Sequence, residues 1–145
     1  MAATGCRTDN SLVNSDIRSL QGTWDVVYQE INGTKLPDEK MARLFHAKIV
    51  FVGHAMHYTA DLQGFDFRFT YNLYPGHRLK EIDLRVMETL DEKGTGQEFY
   101  GIYRLRGDEL RICYSKAKRP QKLVAGEESH NTLIVLKRNS PHPVE

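Results

Sequence analysis

From Phe65 to Tyr71 the chain alternates strictly between aromatic and polar residues (Phe65-Asp66-Phe67-Arg68-Phe69-Thr70-Tyr71). Period-two alternation marks a strand that is buried on one face and wet on the other. The same pattern recurs along the chain. Trp24, Val26 and Tyr28 share a face, and an Asn32-Gly33 turn follows. Ile49 to Val52 is a short apolar strand ending at Gly53, and Ala55 to Ala60 carries Met56 and Tyr58 on one side. Ile82, Leu84 and Val86 alternate with Glu81, Asp83 and Arg85. Phe99, Gly101, Tyr103 and Leu105 alternate next. Arg106-Gly107-Asp108 turns the chain into Leu110, Ile112 and Tyr114, and Thr132 to Arg138 is the last strand.

This pattern gives eight strands joined mostly by short turns. One short helix is expected over residues 37–45, where Pro37 precedes acids and apolar residues at helical spacing. Parallel neighbours need long crossovers, so the pairing is mainly antiparallel. Eight such strands can close and remove both exposed edges. The prediction is an all-β, eight-stranded antiparallel barrel with one short helix. Its interior is either filled by side chains or wide enough for one small ligand.

Residues 1–16 are polar and lack periodicity, so they read as a mobile arm, with at most one helical turn at 15–20. The organisation expected is a flexible arm over 1–19, a barrel over 20–138 and a flexible tail over 139–145 that holds Pro141 and Pro143.

Composition narrows the partners. The 145 residues fit one domain, 40% hydrophobic and 27% charged, as in an ordinary globular protein. Lys and Arg exceed Asp and Glu by only one, so the basic excess of a nucleic-acid binder is missing. Lys116, Lys118, Arg119 and Lys122 form a local basic run, which reads more simply as a solvated loop. No apolar run is long enough for a transmembrane helix.

The two cysteines, Cys6 and Cys113, are too few for a disulfide framework or a structural zinc site. Cys113 lies between apolar neighbours and reads as a buried thiol in a strand rather than as a partner of Cys6. Ala3-Thr4-Gly5-Cys6 resembles the end of a bacterial lipoprotein cleavage box. Behind a signal segment, Cys6 would be the lipidated residue of an exported protein. As it stands, the chain reads as cytoplasmic with an ordinary polar start.

No catalytic constellation is legible. There is no nucleophile elbow and no phosphate-binding loop, and Gly94-Thr95-Gly96 is a hairpin. His54 and His57, three apart on a strand, fall on opposite faces, while His46, His77, His130 and His142 lie in turns or tails, so no metal site or cofactor is expected. Asp66, Asp83, Arg68, Arg85, Arg104 and Arg111 occupy polar faces, where cross-strand charge pairs are expected.

Tyr28, Tyr58, Phe65, Phe67, Phe69, Tyr71, Phe99 and Tyr103 are expected to point inward. They either fill a core or line a pocket whose phenols orient an apolar ligand. The candidate ligand-binding residues are therefore Tyr28, Tyr58, Phe67, Phe69, Tyr71 and Tyr103. A filled barrel would instead suit a protein-interaction module, with an apolar patch around Met41, Leu44 and Phe45.

Gly22-Thr23-Trp24 resembles the Gly-x-Trp signature of lipocalins. In that family the tryptophan closes the barrel base and a basic residue after the last strand covers its ring. The resemblance implies that Arg138 stacks on Trp24 and joins the last strand to the first. The wider pattern is similar to an uncharacterised lipocalin-like domain abundant in planctomycete bacteria. It is carried by residues 20–27, 80–84, 101–105 and 107–110, by Arg119-Pro120 and by residues 133–138, in that order. Residues 126–130 depart from the glycine- and serine-rich turn of that family. The resemblance implies a lipocalin-like barrel from a bacterium, with no catalytic residue and no known protein partner.

Overall fold

The computed structural model describes residues 3–35, 47–60, 66–76, 78–89, 95–126 and 130–139. A helix, α1 (Ala3–Leu20), precedes nine strands. The strands are β1 (Gly22–Ile31), β2 (Thr34–Lys35), β3 (Lys48–Val52), β4 (Ala55–Thr59), β5 (Asp66–Tyr74), β6 (Glu81–Thr89), β7 (Glu98–Arg106), β8 (Glu109–Ser115) and β9 (Thr132–Arg138). Each of β3 to β8 pairs with the next, β1 pairs with β3, and β1 also pairs with β9, so eight antiparallel strands close on themselves. β2 is a two-residue addition to the end of β1, turned by Asn32 (φ 52°) and Gly33 (φ 87°). Two consecutive residues of positive φ are what a tight hairpin of this hand requires. The helix expected over 37–45, the patch around Met41, and Phe65, His46, His77 and His142 lie outside the described residues.

The expected mobile arm is corrected by α1, which runs for 18 residues. Its sequence is rich in Ser, Asn and Thr, which are indifferent helix formers. Tertiary packing overrides that propensity. Val13, Asp16, Ile17 and Leu20 fall on one helical stripe, and Leu20 and Asp16 are buried against the barrel.

The main core lies inside the barrel and includes Trp24, Ile49, Phe51, Tyr71, Ile82, Leu110, Ile112 and Leu136. A second, smaller core lies on the outer wall. There Ile102, Cys113 and Leu133 are covered by Leu123 and Ala125 of the β8–β9 connection. Alternation along β7 to β9 thus buries both faces where that connection lies over the sheet. Gly101 lies at a close contact between β7 and β8. A Cβ at this position would stand 2.7 Å from the Cys113 carbonyl oxygen and 3.1 Å from Cβ of Tyr114.

Candidate functional site

The chain gives the two ends of the barrel different chemistry. At one end the last turn of α1 lies across the interior. A helix leaves its final four carbonyls without intrahelical partners. Here all four accept: Ile17 O from Gln21 Nε2 (2.9 Å), Arg18 O from the Gln21 amide (3.3 Å), Ser19 O from Arg138 Nη2 (2.7 Å) and Leu20 O from Trp24 Nε1 (2.8 Å). The Arg138 guanidinium lies 4.2 Å from the Trp24 ring centroid, and its Nε donates to Asp108 at 3.2 Å. Gln21 also holds the β3–β4 turn, accepting from the Gly53 amide at 2.6 Å. Tyr71 donates to Gly53 O at 2.6 Å. Tyr103 donates to Asp16 at 2.6 Å, and Lys80 meets the same carboxylate oxygen at 3.0 Å. Burial and the Asp16 acceptor push the Tyr103 phenol far above its ordinary range. Among the described residues, no buried side-chain polar atom is left without a partner.

That packing sorts the sequence-derived lining residues. Tyr71 and Tyr103 belong to the end that α1 crosses. Tyr58 is buried higher up, where its hydroxyl meets Gln29 Oε1 at 3.3 Å, and Phe67 and Phe69 pack against the same core. Tyr28 is a correction, because it lies on the outer wall against Ile102, Cys113 and Leu133. The cause is a β-bulge. Val26 pairs with Leu136 and Tyr28 with Val135, so Val27 is an extra residue and every position after it changes face. Gln29 then points inward, where strict alternation put Tyr28.

At the other end is a hollow of about 840 Å³. Ile31, Phe99, Tyr114, Ala117 and Thr132 give it a mostly apolar lining, with Lys116, Lys118 and His130 adding polar groups. None of the six candidate residues lines it. The β1–β2 turn and the start of β9 are held together at this mouth. The Asn32 amide donates to Asn131 O (2.9 Å), and Asn32 Oδ1 accepts from the His130 amide (3.0 Å). Phe99 and Tyr114 meet edge to face at 5.3 Å between ring centroids, and Phe69 stands behind them at 6.4 Å from Phe99. Burial pushes the Tyr114 phenol up to about 12, only partly offset by its hydrogen bond with Thr132. Tyr114 is therefore a neutral phenol at neutral pH.

On the outer wall Lys137 pairs with Glu109 across β9 and β8 at 3.2 Å. Arg104 faces Arg111 directly, and Asp83 is claimed by Arg119 (2.7 Å). Arg119 is corrected from a solvated loop residue to a clamp. Its Nη1 donates to Gly101 O at 2.8 Å, its Nε lies 3.5 Å from Glu81, and it covers the Tyr100 ring at 5.6 Å. Cys113 is a free, fully buried thiol whose Sγ lies 3.4 Å from Val124 O. His57 turns outward to Asp66 at 2.6 Å. Among the described residues, no three metal-ligating side chains converge, and no helix is long and apolar enough to cross a membrane.

No protein-family model matches the chain, and no curated protein does so either.

Proposed function

We propose that this chain is a non-catalytic, lipocalin-like binding protein that takes a small, largely apolar molecule into the open end of its barrel. The observation that carries the reading is the contrast between the two ends. One is crossed by the last turn of α1 and packed around Trp24 and Arg138, and the other holds about 840 Å³ behind Ile31, Phe99, Tyr114 and Thr132. Ligand sites of small molecules typically enclose about 300–1,000 Å³, mostly apolar with a few polar groups. The Tyr114 hydroxyl, His130 and the two lysines supply those groups. Gly22-Thr23-Trp24 and the guanidinium over the indole support the lipocalin-like assignment.

A fluorescence titration with the neutral probe N-phenyl-1-naphthylamine tests the reading. Saturable one-to-one binding is expected, lost in Ile31→Lys. Ile31 is 46% exposed, so this change leaves the fold intact while putting a charge into the lining. Equal binding by the variant, or no binding by the parent chain, would overturn it.

A further inference from the structure

We propose a second binding site, on the outer wall near the closed end, for a small phosphate monoester with an apolar body. It is separate from the barrel hollow. Where β6 begins, residues 78–80 run beside the second half of β7, and a groove of about 360 Å³ opens between them and the β8–β9 connection. Its floor is apolar, made by Leu79, Ile102 and Leu123. Its polar lining is cationic: Arg78, Lys80, Arg104, Arg106 and Lys122.

Lys80 is held by Asp16 at 3.0 Å. Among the described residues the side chains of Arg78, Arg104, Arg106 and Lys122 make no hydrogen bond or ion pair, and Arg106 stands opposite Glu109 across β7 and β8. The whole chain carries a formal charge of only +1, so their gathering in one groove is a local arrangement rather than a basic composition. It also has a cost, because Arg104 stands directly opposite Arg111 across β7 and β8, and like charges in that relation destabilise a sheet.

A cleft lined by one sign of charge over low-dielectric walls concentrates counter-ions of the opposite sign. Guanidinium groups match phosphate oxygens with paired donors. A phosphate monoester brings about −1.5 to −2 charges, against −1 for a carboxylate, and so answers several cations at once. The leucine and isoleucine floor asks for an apolar body behind that head. The volume is at the small end of the range for ligand sites, which suits one short acyl or aryl chain.

Octyl phosphate, kept below its micelle concentration and titrated into the full chain, is the test, read by backbone amide shifts. Saturable shifts at Lys80, Arg104 and Leu123 are expected. Binding should weaken with added salt and by at least about tenfold in the Arg104→Gln/Arg106→Gln double variant. Both side chains face outward, and the change relieves the Arg104–Arg111 opposition while removing Arg106 from opposite Glu109, so the melting temperature should change little. If that variant does unfold, Lys122→Gln on the exposed connection gives the same readout with a smaller loss. Inorganic phosphate and octanol should each bind more weakly than octyl phosphate. Four results would overturn the proposal. They are no saturable shift, inorganic phosphate binding as tightly, shifts confined to Ile31 and Thr132, or a response to anionic phospholipid vesicles alone.

Discussion

The Arg138 guanidinium lies 4.2 Å from the centre of the Trp24 ring, and both side chains donate to the last carbonyls of α1. Three elements therefore meet at one point: the helix end, the first barrel strand and the last. Trp24 is fully buried, and truncating a buried aromatic residue costs about 3–5 kcal/mol. Trp24→Ala should lower the unfolding midpoint in denaturant accordingly. A double-mutant cycle on Trp24→Phe and Arg138→Gln should give a coupling of about 0.5–2 kcal/mol. Zero coupling would mean that the stacking contributes nothing.

Asp16 ties α1 to the barrel wall through Tyr103 and Lys80. Asp16→Ala leaves the buried Tyr103 hydroxyl without its acceptor, which costs about 1–3 kcal/mol. Tyr103→Phe removes the donor instead and should cost less. If both variants melt with the parent chain, α1 is not a structural part of the closed end.

Gly101 is required by contact rather than by backbone angle. A Cβ there meets the Cys113 carbonyl at 2.7 Å. Backbone cannot yield as a flexible side chain can, so Gly101→Ala should destabilise by about 1–3 kcal/mol through overpacking. A neutral effect on thermal unfolding would show that β7 and β8 can separate at no cost.

Burial pushes the Cys113 thiol up to about 11. The folded state therefore holds this proton more tightly than the unfolded one. The resulting stability is complete below the ordinary thiol value of 9.0 and is lost as pH rises toward about 11. Cys113 should resist iodoacetamide at pH 8 in the folded chain and react once urea exposes it. Rapid alkylation of the native protein at that site would contradict the packing of Leu123 and Ala125 over it.

Much of the barrel is legible in the chain because period-two alternation is a local signal, and each strand carries it. What escaped notice depends on events that alternation cannot record. The bulge at Val27 adds one residue and exchanges the faces of Tyr28 and Gln29, and no local feature of Val26-Val27-Tyr28 marks it. Helix α1 was hidden by poor intrinsic propensity, although the stripe Val13, Asp16, Ile17 and Leu20 was there to be found. Periodicity marks Phe99 and Tyr114 as inward but does not reveal the hollow, because Ile31, Ala117 and His130 line it from strand ends and turns, where periodicity stops. The groove cations were partly visible, as Arg104 on a polar face and Lys122 in a basic run. Only the fold brings them together.

The most direct test of the open-end site is an intermolecular NOE measurement on the chain saturated with N-phenyl-1-naphthylamine. Cross-peaks from the probe to Ile31, Phe99, Tyr114 and Thr132 are expected. Contacts only to exposed residues away from the hollow, such as Val52 and Met87, would contradict the binding site.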